Sequence, residues 1–96
     1  MRIKAKAADG VVSVKAGLKH PMLSYDIAKK KGKEANFIVY ITGKVDGKTV
    51  YEASTSQFLS KNPFIKFKFK GEAGKEIELT WLDLSGKSKS KKAKIK

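Results

Sequence analysis

Apolar and polar residues alternate strictly along two segments in the second half of the chain. In the run 65–70 the apolar residues alternate with lysine, and in the run 76–81 the apolar residues alternate with glutamate or threonine. Side chains on a strand point to opposite faces in turn, so this period of two predicts two β-strands, each with one dry face. The residues expected to form the centre of the core are Ile65, Phe67, Phe69, Ile77, Leu79 and Trp81.

The pattern leaves two arrangements open for this pair of strands. As a hairpin, Lys70 would lie opposite Glu76 and Lys68 opposite Glu78, which are favourable cross-strand pairs. If the connection instead crosses between the two sheets of a sandwich, the apolar faces of the two strands face each other across the core and these ion pairs are absent. Both arrangements predict the same core.

The chain before residue 54 contains four further predicted strands. Residues 2–8 and 11–18 read as strands joined by the turn Asp9-Gly10, and a second turn, Asp46-Gly47, joins strands at 37–42 and 48–53. Residues 19–34 lose the alternation and read mostly as a loop, in which Ser24 is placed to begin a short helical turn that ends near Gly32.

The remaining segments complete the count of strands. Residues 54–61 read as a polar crossing in which Phe58 and Leu59 are available to cover one end of the core, and Asp83-Leu84-Ser85-Gly86 reads as another turn. Residues 87–96 read as a lysine-rich edge strand, or as a strand that another chain completes. Seven or eight short strands with regular turn signals favour a single all-β domain over residues 1–96, folded as a β-sandwich. A small open β-barrel is the alternative.

The composition restricts the chemistry available to the chain. With no cysteine, one histidine and nine carboxylates among 96 residues, the sequence offers no thiol nucleophile and no obvious metal site. We therefore expect no catalytic residue, no metal site and no cofactor. The amino terminus lacks the apolar run of a signal peptide, and no segment approaches the ~20 apolar residues of a membrane helix, so no membrane association is expected.

The formal net charge of +13 calls for either an acidic partner or a strongly solvated surface. All but one of the 22 basic residues are lysine, the exception being Arg2. Lysine is a hydrated point charge, whereas bases and paired phosphates are most often read by arginine forks. The charge thus predicts non-specific affinity for anions and no specific nucleic-acid recognition.

Several short motifs resemble one family when taken in order. The motifs are Lys19-His20-Pro21-Met22, Asn36-Phe37-Ile38, Asp46-Gly47-Lys48, Ser60-Lys61-Asn62-Pro63 before Phe67-Lys68-Phe69-Lys70-Gly71, and Trp81 with Asp83 and Gly86. Their order and spacing resemble the Z subunit of the bacterial Sox sulfur-oxidation (thiosulfate-oxidising) carrier complex. The similarity spans almost the whole chain.

This resemblance implies an immunoglobulin-like β-sandwich fold and a function. Members of that family form a heterodimer with a Y-type subunit, whose carboxy-terminal cysteine carries covalently bound sulfur intermediates, and other sulfur-oxidation enzymes contact the pair transiently. The pair is exported on the partner's signal, which implies a periplasmic location. The candidate partner-binding residues are His20, Pro21, Met22, Ser60, Lys61, Asn62 and Pro63, and a homodimer of the isolated chain stays open.

Each candidate also has a plainer interpretation. His20 before a proline more often closes a loop, Ser60 to Pro63 form a turn signal, and Trp81 reads as a core anchor. The rival function is a basic β-barrel that binds nucleic acid, against which most phenylalanines fall on predicted inward faces. An enzyme would need a nucleophile or metal that the sequence lacks.

Overall fold

The computed structural model describes residues 1–55 and 61–96, which form seven strands and one short helix. The strands are β1 (Arg2–Ala8), β2 (Val11–Gly17), β3 (Ile38–Val45), β4 (Lys48–Ser54), β5 (Phe64–Lys70), β6 (Glu76–Asp83) and β7 (Ser88–Lys94), and the helix α1 is Tyr25–Lys31. No helix in these two ranges is long and apolar enough to cross a membrane.

Two antiparallel sheets build the domain. A three-stranded sheet has the order β1-β2-β5, and a four-stranded sheet has the order β4-β3-β6-β7. The sheets pack face to face as a β-sandwich, and the described strands do not close into a barrel, which confirms the predicted fold class. The predicted polar crossing that precedes β5, with Phe58 and Leu59, falls largely on residues 56–60 and lies outside the described residues.

The predicted turns are confirmed. Asp9 and Gly10 have φ of 52° and 76°, and Asp46 and Gly47 have φ of 51° and 77°. Two successive residues with positive φ form the tight turn that matches the twist of a hairpin, and Asp-Gly is a favoured sequence for it. The two hairpins β1–β2 and β3–β4 lie in different sheets.

The pair of strands at 64–70 and 76–83 takes the second of its two predicted arrangements. β5 pairs with β2, and β6 pairs with β3 and β7, so the connection crosses from one sheet to the other. The hairpin is therefore wrong, and neither Lys70–Glu76 nor Lys68–Glu78 forms. Like charges now meet instead, because Lys66 lies opposite Lys15.

The core lies between β2, β3 and β6. Val12, Val14, Ile38, Ile77 and Leu79 are at most 1% exposed, and Trp81 is buried as predicted. The inward residues of β5 are only half-buried because β5 is an edge strand, although Phe67 stacks on Tyr51 of β4 with ring centroids 4.0 Å apart. The centre of the core thus lies at β2, β3 and β6, and β5 covers one side of it.

The segment 19–34 contains the short helix that the sequence predicted. The Ser24 side chain accepts a hydrogen bond from the Ile27 amide at 3.3 Å, and Gly32 ends α1 in the left-handed conformation. These are the usual amino- and carboxy-terminal caps of a helix.

Candidate functional site

Four loops meet at one end of the sandwich. They follow β2, precede β3, precede β5 and join β6 to β7, and they bring together His20, Asn36, Asn62, Asp83 and Ser85. We call these five residues the His20–Asp83 cluster. They lie up to 65 positions apart in the sequence, so the fold alone makes them neighbours.

His20 is held from three sides. Its Nε2 lies 3.1 Å from Asp83 Oδ2, its Nδ1 accepts the Met22 amide at 3.0 Å, and its ring makes an edge contact with Trp81 at a centroid distance of 5.1 Å. Because Nδ1 accepts, the hydrogen-bond pattern assigns the ring proton to Nε2, which donates to Asp83. The contact is therefore a hydrogen bond of a neutral imidazole.

Asp83 is the centre of the cluster. Its Oδ2 accepts from His20 and Asn36, and its Oδ1 accepts from the Ser85 amide and hydroxyl and from the Lys87 amide. Burial disfavours its charge, but hydrogen bonds from Ser85, His20, Lys87 and Asn36 outweigh that penalty and lower the pKa of Asp83 to about 2. The buried carboxylate therefore stays ionised.

Asn62 ties the loop before β5 to the loop after β2. The backbone N–H of Asn62 donates to the backbone carbonyl of His20 at 2.9 Å. The side-chain Oδ1 of Asn62 accepts the backbone N–H of His20 at 3.1 Å. The next residue, Pro63, is buried, and its carbonyl accepts the Leu18 amide. Met22 Sδ accepts the Ile38 amide, which extends the connection to β3.

The candidate residues divide by exposure. His20, Met22 and Pro63 are buried, whereas Pro21, Lys61 and Asn62 are exposed, and Ser60 lies outside the described residues. The structure brings the His20 and Asn62 motifs together as one unit. Whether these residues bind a partner stays a prediction.

Sequence reasoning missed the roles of Asn36, Asp83 and Ser85. The segment Asp83-Leu84-Ser85-Gly86 was read only as a turn, although an aspartate that caps the amide two residues on is a known turn signal. No local pattern indicates that the same carboxylate also accepts from His20, because 63 residues separate them.

The cluster does not have the arrangement of a nucleophilic triad. The Ser85 hydroxyl donates to Asp83 at 2.7 Å and not to His20, and the imidazole is almost wholly shielded from solvent. A nucleophile must instead bond to the base that accepts its proton. In the described ranges, no group of three or more His, Cys, Asp or Glu side chains is placed to hold a metal ion.

Two exposed apolar side chains border the cluster. Tyr25 is 58% exposed and its ring contacts Phe37, and Leu84 is 47% exposed while its amide donates to the Phe37 carbonyl. Leu84 sits in the turn that Asp83 holds through Ser85 and Lys87. The cluster thus fixes the backbone that displays Leu84.

Comparison with protein families adds one finding. No curated protein matches the chain. The model of the family described as sulphur oxidation protein SoxZ matches residues 1–94, which is nearly the full length and includes every residue of the His20–Asp83 cluster. The chain therefore belongs to the SoxZ family, that of a Sox sulfur-oxidation subunit.

Proposed function

We propose that this chain is the non-catalytic subunit of a periplasmic sulfur carrier complex and that it binds a Y-type subunit whose carboxy-terminal cysteine carries the sulfur intermediates. The family match over residues 1–94 is the observation that carries this proposal. The sequence has no cysteine, so covalent sulfur attachment to a thiol requires a second chain.

The His20–Asp83 cluster supports a structural role for this end of the domain. Hydrogen bonds satisfy both ring nitrogens of His20 and both carboxylate oxygens of Asp83. A buried and satisfied network makes a rigid support. In this proposal His20 and Met22 position the loops, and the exposed Pro21, Lys61 and Asn62 contact the partner.

Exposed apolar anchors at the same end give the interface its free energy. Aromatic and large apolar side chains in the centre of an interface carry most of its binding energy. Tyr25 and Leu84 flank Phe37 beside the cluster and match this description.

A stable heterodimer needs an exposed apolar strand, and the sequence offers the run from Phe37 to Ile41 or the final edge strand for it. The structure places β3 between β4 and β6, and Phe37, Ile38 and Ile41 are at most 7% exposed. Their apolar side chains stabilise the core instead. β7, the other candidate, does lie at a sheet edge and begins just after the Asp83 turn.

Co-expression with a Y-type subunit tests the proposal. We expect one species of heterodimer mass by size-exclusion chromatography with light scattering, at 0.5 M NaCl so that weak charge attraction is screened. Two separate monomer peaks would contradict the proposal.

Leu84→Asp should locate the interface. A charge placed at an apolar anchor is desolvated without a partner on binding, so we expect the affinity to fall about tenfold or more, measured by titration calorimetry. The matched control is Val11→Asp, an equally apolar residue at the opposite end of the sandwich that is 39% exposed. Equal losses in both variants would place the interface elsewhere.

A further inference from the structure

The outer face of the three-stranded sheet carries a large share of the positive charge. Its twelve strand positions form four cross-strand rows, of which the central two are Lys4–Lys15–Lys66 and Lys6–Ser13–Lys68. The face contains seven cations and no carboxylate. These cations are Arg2, Lys4, Lys6, Lys15, Lys66, Lys68 and Lys70, and we call this surface the basic face.

The outer face of the four-stranded sheet differs. There Glu78 lies opposite both Lys44 and Lys92, and Glu76 lies opposite Lys94. Opposite charges alternate across the strands and compensate one another. The net charge of the chain is thus distributed unevenly, with the excess on one flat side of the sandwich.

The basic face is costly for the fold. Neighbouring strands lie about 4.8 Å apart, and like charges directly opposite each other are destabilising. The row Lys4–Lys15–Lys66 places three cations side by side with no anion between them. A bound anionic surface would relieve this repulsion.

The shape and chemistry of the face favour a protein partner. A shallow depression of about 890 Å³ runs over it, lined by Lys4, Lys6, Lys15, Lys66 and Lys68 among others. Six of the seven cations are lysine, which suits exchangeable contacts with hydrated carboxylates better than bidentate reading of phosphates. Only Phe64 offers an exposed aromatic ring there, at 60% exposure, and Lys66 Nζ lies 5.8 Å from its centroid. Nucleic-acid platforms use several such rings.

We infer that the basic face is a transient docking surface for an acidic face of a partner protein, separate from the surface that pairs with the Y-type subunit. Lysine is depleted in the cores of stable interfaces, so a lysine face suits reversible contact. Charge complementarity of this kind raises the association rate. The inference rests on the proposed function and on the transient contacts with other sulfur-oxidation enzymes that the family resemblance implies.

Two matched triple variants test the inference. The face variant removes charge from the basic face through Lys15→Gln, Lys66→Gln and Lys68→Gln. The control variant removes the same charge from exposed positions elsewhere through Lys30→Gln, Lys44→Gln and Lys92→Gln. The probe is a fluorescein-labelled peptide of ten glutamates, measured by anisotropy at 0.05 and 0.15 M NaCl with the full chain. We expect the face variant to bind about tenfold more weakly and the control variant to bind like the parent chain.

The other outcomes overturn the inference. Equal weakening in both variants would mean that net charge alone attracts the probe. Tighter binding of a ten-nucleotide single-stranded DNA or of phosphatidylserine vesicles than of the peptide at 0.15 M NaCl, lost in the face variant, would assign the face to nucleic acid or to a membrane surface. The experiment uses no Y-type subunit, so its result is independent of heterodimer formation.

Discussion

At the scale of single residues, Asp83 connects the turn after β6 to the loop after β2. Its carboxylate accepts from a turn within its own segment and from His20 in a loop 63 residues earlier. Deleting the Asp83 carboxylate would leave Nε2 of His20 buried without an acceptor, and leaving a buried group unpaired costs about 1–3 kcal/mol. Deleting the imidazole would remove one of the donors that offset the burial of the carboxylate. The loops at this end are therefore expected to lose order together.

Acid should expose the contribution of Asp83. Its pKa is lowered from 3.8 to about 2 in the folded state, so the ionised form stabilises the fold above pH 4, and that stabilisation is lost as the pH falls toward 2. We expect the free energy of unfolding to decrease by about 2 kcal/mol over this interval from Asp83 alone. Urea denaturation at a series of pH values measures it.

Asp83→Asn should be less stable at neutral pH but should respond less to acid than the parent chain. Glu72→Gln, which removes an exposed carboxylate, is the control. If Asp83→Asn and the parent chain lose the same stability between pH 4 and pH 2, the role assigned to this carboxylate is wrong.

The sequence predicted the local part of this site and not the long-range part. Pro21, Asn62 and Gly86 mark turns because their backbone preferences are intrinsic, so the loops were expected. The contact of His20 with Asp83 depends on how four loops converge, and no residue preference encodes that. His20 was nevertheless singled out, and the alternative in which it closes a loop agrees with its burial.

At the scale of elements, a side chain of the three-stranded sheet lies close to the backbone of β3 at Gly43. A Cβ atom there would lie 3.1 Å from Leu79 Cδ2, 3.3 Å from Tyr51 Cβ and 3.5 Å from Phe67 Cζ, the last of which belongs to the opposite sheet. The ladder of β3 with β4 also shifts register between Gly43 and Lys44. The glycine thus lets the Phe67 ring lie close to β3.

Gly43→Ala should destabilise the domain by about 1–3 kcal/mol, because an added methyl group overpacks a site that both sheets share. Gly17→Ala in β2 is the matched control, since nothing lies within 4 Å of its Cβ position. Thermal denaturation followed by circular dichroism compares them. A Gly43→Ala protein as stable as the control would show that the sheets separate without cost.

The strands themselves were predictable, but their partners were not. Alternation reveals which face of a strand is dry, and it did so correctly for β5 and β6. It does not distinguish a hairpin from a crossing between sheets, because both bury the same residues. The half-buried state of Phe67 and Phe69 follows from the edge position of β5, which only the topology determines.

At the scale of the whole molecule, the uneven charge makes stability depend on salt. The net charge is +13, and repulsion within the basic face opposes folding. Raising NaCl from 0.01 to 0.3 M shortens the screening length from about 30 Å to well below 10 Å. We expect the melting temperature to rise by several degrees, measured by differential scanning calorimetry.

The face variant should show a smaller rise in melting temperature with salt than the control variant, because it has lost like-charged neighbours in the central rows of the basic face. A melting temperature that is the same at all salt concentrations would mean that the lysines are too far extended into solvent to repel one another. Sulfate is avoided in this experiment because it stabilises proteins by exclusion as well as by screening.

The contact between the chain's last residues and its first strand has a practical consequence. Ile95 is 1% exposed, and the Lys96 backbone bonds to Ala5 and Ala7 of β1, which bridges the two sheets at their shared border. A protease should therefore cleave slowly at residues 95 and 96 while the fold is intact. An affinity tag fused here needs a spacer, because displacing Ile95 would separate the two sheets beside β1. The apolar core residues would then be exposed, and the protein would tend to aggregate.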